Sequence, residues 1–486
     1  MVLKVFNTMN GRIEEFRPLR KKRVGLYVCG PTVYDWAHLG HARTYIVFDI
    51  IVRWLEAKGF SVHYVQNITD VGHLTEDTAE DKIVRKAKEE RVEPMQLVEF
   101  YMREYFKDLD SLGVKRPDIS PRATGHLVEM IEAVLSLIEK GYAYEARGNV
   151  FFDVSKSKDY GKLSKVKPEA MLAGSRFEVH PDKRDPRDFA LWKRADEDAL
   201  LKWWSPWGYG FPGWHIECAI MGLKYLGPQF DIHGGARDLV FPHHENEVAQ
   251  CEALIGKRPF VKYWMHTGLL TINGEKMAKS LGNYITVRQA LEKYNAEAIR
   301  LFVLSTHYRS EIDFTEKKLR NAETSLERLH NTLNGLEEAM DRSVGRELTE
   351  GEKTFETNVE KLRAAFAEAM DDDFNTPRAL ASLFELSREI NRFLAEQKQG
   401  STKLLKEVYN VFFQLGNTIG FFQKERPQKV DKKIIGELVN LLAELRENLR
   451  RKGNFELSDE IRAKLNQLGV TVEDTPEGSK WKLSAT

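Results

Sequence analysis

The sequence predicts an α/β fold built on a parallel sheet, and three of its features carry that prediction. A short apolar run at residues 24–28 leads through a turn into TYIVFDIIVRWLEAKG, whose apolar positions recur at helical spacing. A second apolar segment, FSVHYVQNITD, follows it. The order is therefore strand, helix, strand, and such alternation implies parallel strands joined by a right-handed crossover. The pattern then breaks off into a β-rich stretch and returns at FPGWHIECAIMGL and FDIHGGARDLVFPHHENEVAQCEAL.

Composition bounds what such a chain can be. A length of 486 residues corresponds to about three domains, and 42% hydrophobic residues supply material for several cores. Lys+Arg and Asp+Glu both number 73. No global positive field advertises nucleic acid, and any such binding must use local patches. The 3 cysteines do not make a disulfide framework and suit a reducing compartment, where thiolates serve metals or chemistry. The opening MVLKVFNTMNGRIEEF carries charge too early, and too short an apolar run, for a secretory signal. No apolar run reaches membrane length, so a cytoplasmic location is expected.

Taken in order, the first stretch rich in chemistry is CGPTVYDWAHLGHAR, residues 29–43. Cys29 stands where the strand ends, and Pro31, Thr32 and Gly40 mark the crossing to the helix. His38 and His41 straddle Gly40 near the helix start, where free backbone N–H groups and the helix dipole favour an anion. Ligands of parallel sheets bind beyond the carboxyl ends of the strands, so Cys29 and residues 67–70 should meet at one crevice. VGHLTEDTAEDKIVRKAKEE, acidic and then helical, is expected to cap it. Residues 94–140 read as two amphipathic helices separated by GVKRPDISP. A charge-dense, β-rich insertion then spans residues 142–207, with GNVFFDV as its clearest strand.

Chemistry accumulates again when the α/β pattern returns. FDIHGGARD ends a strand in two glycines that permit close backbone approach to a ligand, and Asp238 can accept a hydrogen bond from a ribose hydroxyl. His243 and Glu247, at i and i+4, project from one helical face. Together with Cys218 and Cys29 they can make a Cys-Cys-His-Glu zinc site. Cys251, in the apolar part of the same helix, is expected to be structural, and His244 to point away from the His243 face. In HTGLLTINGEKMAKSLGNYIT, Asn273 and Gly274 predict a tight hairpin turn. Beyond it Lys276 and Lys279 lie on a glycine-bounded loop, as mobile point charges able to follow a triphosphate.

Residues 316–422 repeat apolar positions at helical spacing and predict an antiparallel bundle. Within it Thr376 and Pro377 read as an N-cap and first-turn pair. ERPQKVDKK reads as a polar linker, followed by two helices and a small hairpin. There the Arg450-Arg451-Lys452 run, beside Phe455 and Trp481, is either a solvated face or a means to grip and stack nucleic-acid bases.

Together these stretches resemble the cysteinyl-tRNA synthetases, a family of class I aminoacyl-tRNA synthetases. His38-Leu39-Gly40-His41 is similar to the HIGH signature of that class, and Lys276-Met277-Ala278-Lys279-Ser280 to its KMSKS loop. CGPTVYD, NITD, DFALWK, SPWGYGFPGWHIEC, DLVFPHHENE and HYRS resemble segments of the same family, so the resemblance covers essentially the whole chain. Two departures stand out. Ala278 replaces the usual middle Ser of the loop, and VGHLTEDTAEDKI is longer than the common version.

The resemblance implies a Rossmann-like class I synthetase catalytic domain with an inserted β-rich connective domain. A helical bundle and a small C-terminal α/β anticodon-binding domain follow. The expected division runs 1–115 for the first catalytic half, 116–209 for the insertion and 210–265 for the second half. It continues with 266–315 for the KMSKS-loop and stem-contact region, 316–424 for the bundle and 425–486 for the anticodon-binding domain. It also implies the reaction: L-cysteine is activated with Mg2+-ATP and passed to the 3′ end of tRNA(Cys), by a monomer holding one Zn2+ per chain. By the same resemblance His38, His41, Lys276, Lys279 and Asp238 serve ATP, while Gly30, Thr32, Thr69 and Trp214 line the cysteine pocket. Cys29, Cys218, His243 and Glu247 bind the metal, and Arg451, Phe455, Asp459 and Trp481 sit where the anticodon is read. Two rivals are an ATP-dependent ligase giving cysteine to an amino sugar and a non-catalytic zinc- or RNA-binding relative. The first lacks the C-terminal region, and the second would lose the signature histidines or lysines.

Overall fold

Four parallel strands form the central sheet, in the order Val261–Thr267, Phe230–Ala236, Arg23–Val28, Ser61–Gln66. The computed structural model describes residues 2–72, 81–166, 180–277, 281–397, 399–423, 432–467, 470–475 and 478–483. The chain divides into two units, Met1–Phe422 and Gln423–Thr486. Side chains alternate across each strand, and both faces of this sheet are covered. Val24, Leu26 and Val28 enter a core shared with the helix Leu39–Ala57, whereas Tyr27 and Cys29 enter a second core with Ile216, Cys218 and Val248. A sheet buried on both sides needs nearly continuous apolar strands, which is the pattern that made it readable.

The two glycines of FDIHGGARD do not end the strand, which runs on to Ala236. A Cβ at Gly234 would fall 2.1 Å from the Phe48 ring. Close packing of helix on strand therefore requires glycine at this position.

The insertion is an antiparallel five-stranded sheet in the order Ala143–Ala146, Asn149–Phe152, Phe189–Arg194, Gly208–Pro212, Trp203–Ser205. It follows the helix Leu127–Glu139 and returns to the first sheet through the helix Trp214–Leu226. Downstream, Leu270–Ile272 pairs antiparallel with Glu275–Lys276 and parallel with Ile312–Phe314. Asn273 (φ 52°) and Gly274 (φ 82°) supply the two positive angles of the tight turn between the antiparallel pair. The buried Arg43 guanidinium donates to the carbonyls of Leu269 and Ser310. That arginine thus ties the helix carrying the histidine signature to the hairpin carrying the lysines.

The bundle consists of the helices Glu316–Asp341, Glu350–Asp371, Thr376–Glu396 and Thr402–Thr418. Its third helix is capped by Asn375, whose Oδ1 accepts the Arg378 N–H at 3.3 Å. Thr376, the expected cap, is the first residue of the helix instead, and its hydroxyl is directed away to donate to the Leu304 carbonyl at 2.8 Å.

Glu352 is fully buried here and accepts the Thr349 and Ser401 N–H groups at 2.8 and 2.9 Å beside Arg346 at 2.6 Å. Burial alone would raise its pKa, but the Arg346 guanidinium and the two backbone donors outweigh it and hold the carboxyl at about 2. A depressed folded-state pKa gives stability that is present above the ordinary value of 4.5 and lost as pH falls towards 2. Glu352→Gln should cost about 3 kcal/mol at pH 7, and urea unfolding should show that difference vanishing between about pH 4.5 and pH 2.

The second unit pairs the helices Lys432–Arg451 and Phe455–Gln467 with the hairpin Val470–Thr475 and Gly478–Leu483. Val439, Leu465, Val470 and Val472 form its small core, with Trp481 packed against it. Most of the predicted linker and most of the extended segment after Asp70 lie outside the described residues. Among the described residues no helix is long and apolar enough to cross a membrane.

Candidate active site

Where the strands end, two segments meet as the parallel topology requires. The Gly30 N–H donates to Asn67 Oδ1 at 2.8 Å, and a Cβ on Gly30 would lie 1.6 Å from the Asn67 carbonyl oxygen, so only glycine fits. Thr32 and Thr69 form a parallel bridge, in which the Thr69 N–H reaches the Pro31 carbonyl and the Val33 N–H reaches that of Thr69. The neighbouring Asp70 is structural. Its carboxylate accepts the Thr124 N–H at 2.9 Å and the Thr124 hydroxyl at 2.6 Å.

Cys29, Cys218, His243 and Glu247 place one donor atom each within 4.8 Å of one another, and all four residues are buried. Cys29, His233, His244 and Glu247 satisfy the same condition. The two sets share Cys29 and Glu247. Tetrahedral zinc with Zn–S bonds of about 2.3 Å holds two sulfurs about 3.8 Å apart, and the Cys29 and Cys218 sulfurs are 3.8 Å apart. His243 Nε2 lies 3.0 Å from Glu247 Oε1, on the same side. By contrast His244 Nε2 sits 3.1 Å from the Cys29 sulfur while its Nδ1 lies 2.8 Å from His266, both hydrogen-bond lengths. His233 Nε2 holds the other oxygen of Glu247 at 2.8 Å.

His233 and His244 are thus placed to orient Glu247 and Cys29. His266 is in turn 2.8 Å from the Thr8 hydroxyl, and His215 Nδ1 is 3.1 Å from His243 Nδ1. Trp214, the first residue of its helix, stacks on the His243 ring at 4.3 Å. Cys251 is buried among apolar neighbours, as a structural cysteine should be.

His244 faces the cluster, contrary to the sequence expectation. The residues Val240–His244 form a wide turn in which Phe241 is extended (φ −138°, ψ 131°), and the regular helix starts only at Glu245. Helical phase does not hold across such a break, so consecutive histidines both turn inward.

Electrostatics suit a cation. Burial disfavours the Cys218 thiolate, yet the hydrogen bond from Cys29 and the charge on His243 outweigh it and bring the thiol down to about 6. Burial likewise opposes ionisation of Glu247, but His233 and His243 hold it at about 2. Burial pushes the Cys29 thiol up, and the adjoining Cys218 and Glu247 charges push it further. With two soft sulfurs, an imidazole and a carboxylate, the donor set fits zinc.

His38 is the N-cap of the helix Leu39–Ala57. Its Nδ1 accepts the Gly40 and His41 N–H groups at 3.1 and 3.3 Å, and His41 Nδ1 accepts the His38 N–H at 3.4 Å. The two rings stack at 3.8 Å. Because both Nδ1 atoms accept, each neutral ring carries its proton on Nε2 as a donor. Burial pushes the His41 pKa down to about 4, which keeps it neutral near pH 7.

The lysine loop is anchored to these histidines on both sides. Met277 Cε lies 3.4 Å from the position of a Cβ on Gly40, Leu39 donates its N–H to the Ile285 carbonyl, and Tyr284 meets the His38 ring edge-on at 5.1 Å. Lys276 is exposed at the end of its strand, whereas Lys279 lies outside the described residues. Asp238 is exposed on the short turn Arg237–Leu239.

In the second unit Arg451 is exposed and paired with Glu447 at 2.6 Å, Phe455 is 58% exposed, and Asp459 is exposed. The Trp481 indole N–H donates to Asn440 at 2.7 Å.

Sequence reading passed over His215, His233, His266 and Glu217. Each lies in an apolar run and looks like core, and only the alternation that turns His233 to the same face as Tyr27 could have marked one of them.

Comparison with known proteins gives a consistent result. The family model described as tRNA synthetases class I (C) catalytic domain matches residues 15–324, and the DALR domain matches residues 365–423. The chain is 49% identical over 486 residues to the "Cysteine--tRNA ligase" of Thermococcus gammatolerans, covering 99% of each. It is 48% identical over 483 residues to that of Carboxydothermus hydrogenoformans, covering 99% of this chain and 100% of the relative. Among solved structures it resembles a Mycobacterium tuberculosis methionyl-tRNA synthetase in complex with methionyl-adenylate. The TM-score is 0.59 at 15% identity, over 82% of this chain and 89% of the other, a likeness of fold.

Proposed function

Since this chain belongs to the cysteinyl-tRNA synthetase family and is a cysteine–tRNA ligase with ATP, amino acid and tRNA as substrates, we propose that its Cys29-Cys218-His243-Glu247 cluster holds zinc and selects the substrate thiol. The observation that carries this reading is the convergence of those four buried donors at the ends of the parallel strands. Serine differs from cysteine by one atom, and a pocket of shape alone supplies about 1–3 kcal/mol against such a competitor. Ten-thousandfold discrimination needs about 5.5 kcal/mol. Zinc, when bound, supplies a soft Lewis acid that accepts a thiolate readily and an alcohol poorly.

The chain's own residues do the rest. His233 and His244 keep Glu247 and Cys29 aimed, and Trp214 walls the pocket opened by Gly30, Thr32 and Thr69. His38 and His41 offer Nε2–H donors to the ATP phosphates at a helix start, where the dipole adds to them. Lys276 and Lys279 neutralise the pyrophosphate that leaves with Mg2+, and Asp238 receives the ribose. Phosphoryl chemistry of this kind is met by positioning and charge stabilisation, without a protein nucleophile.

ATP–pyrophosphate exchange with cysteine and serine, before and after chelation, tests the reading. Exchange with cysteine alone, lost on stripping and restored by zinc, is expected. Exchange that survives complete zinc removal with selectivity intact would end the metal assignment.

The second unit is assigned to the anticodon, with Phe455 and Trp481 as stacking surfaces and Arg451 and Asp459 as polar contacts. Removing residues 423–486 should lower tRNA charging by about 100-fold or more, as loss of two stacked bases would, while exchange stays within about threefold. Equal loss of both activities would contradict the assignment.

A further inference from the structure

Glu217 is fully buried, and neither of its carboxylate oxygens has a hydrogen-bond partner among the described residues. Its acidic neighbours are accommodated. Asp70 is held by Thr124, and Asp81 accepts the Gly72 N–H at 2.7 Å and the Ile83 N–H at 2.7 Å. The nearby Thr69 hydroxyl accepts from Asn67 Nδ2 at 3.1 Å and keeps its own proton to turn toward Glu217, a single neutral donor for a buried carboxylate. A Cβ on Gly72 would fall 3.2 Å from Glu217 Oε1 and 2.8 Å from the Pro212 carbonyl oxygen, so the backbone closes tightly round this carboxylate. Burying a carboxylate without a cationic partner is costly, and a fold that keeps one beside its amino-acid pocket leaves a place for a cation.

We propose that Glu217 receives the α-ammonium of the amino-acid substrate and so acts as a second specificity element, reading the amine while the cluster reads the thiol. The placement supports this. Glu217 precedes the cluster residue Cys218 in the first turns of the helix that Trp214 begins, and it faces Thr69, so thiol donor, amine acceptor and pocket wall come from one rigid element. The inference rests on the thiol-selecting reading of the cluster, because that reading fixes which end of the substrate lies where.

The test uses the full-length zinc-loaded protein and calorimetric binding of L-cysteine and of 3-mercaptopropionate, which keeps thiol and carboxylate but lacks the amine. Glu217→Gln should weaken L-cysteine binding by about tenfold or more, the worth of a charge-assisted hydrogen bond. It should leave 3-mercaptopropionate within about twofold and zinc content unaltered. Equal weakening of both ligands, or unaltered cysteine binding, would overturn the proposal. A crystal structure of the unaltered protein with a non-hydrolysable cysteinyl-adenylate analogue decides the matter even if the variant fails to fold. The ammonium nitrogen should lie about 3 Å from a Glu217 oxygen, and its pairing with any other carboxylate would sink the idea. Were the metal reading wrong instead, the unaltered protein would bind L-serine as well as L-cysteine while still preferring ligands that carry the amine.

Discussion

Cys218→Ser should empty the metal site and reduce cysteine-dependent ATP–pyrophosphate exchange by more than about 100-fold. Even partners that only orient metal ligands are worth 10–100-fold, and this residue is proposed as a donor itself, 3.8 Å from the only other sulfur in the cluster among the described residues. Serine keeps the shape but replaces a soft thiolate with a poor zinc ligand. Metal analysis of the purified variant and exchange at saturating cysteine check the two halves of the prediction. Cys251→Ala is the matched control. That thiol is equally buried but lies among apolar neighbours, so zinc content and exchange should persist with only a modest loss of stability. A Cys218→Ser protein that kept full metal and full activation would contradict the assignment of the donors.

His41→Ala should lower the rate of adenylate formation by about 10²–10³-fold, the usual cost of one preorganised donor to a developing charge, with cysteine affinity within about threefold. The histidine also holds the His38 N–H through its Nδ1 and stacks on the His38 ring. Its loss therefore removes a donor and loosens its neighbour. Because burial keeps the His41 pKa at about 4, the ring stays neutral across pH 5–9, and the unaltered enzyme should show no step in activation near pH 6.5 from this residue. Pre-steady-state adenylate formation measured against pH reads both effects. Comparable losses in affinity and rate would indicate ground-state binding instead of transition-state stabilisation.

The sheet is legible because its strands are covered on both faces and so carry apolar residues on both, as at Val24, Leu26, Tyr27 and Val28. The histidine turn was legible because a helix start, a glycine and two imidazoles fall together. The tight turn at Asn273-Gly274 follows directly from the two positive backbone angles it needs. Other features depended on geometry that periodicity does not encode. Helical spacing turns His244 away from His243, but an extended Phe241 breaks helical phase just before it. The packing role of Gly234 is not readable locally, because nothing near it in sequence says that the Phe48 ring will press against it. His233 and Glu217 went unread for a common reason: a polar residue inside an apolar run shows its function only when its neighbours across the fold are known. The cap at Asn375 was misplaced by one residue, since the competing partner of Thr376 is a carbonyl in a different helix.

In the proposed site, a metal held by Cys29, Cys218, His243 and Glu247 meets the substrate's sulfur. X-ray absorption at the zinc edge of the loaded protein counts the sulfurs around the metal before and after addition of each amino acid. Two sulfurs in the free protein, a third on adding L-cysteine and no change with L-serine is the predicted result. A count that stays at two with L-cysteine bound and exchange running would contradict it.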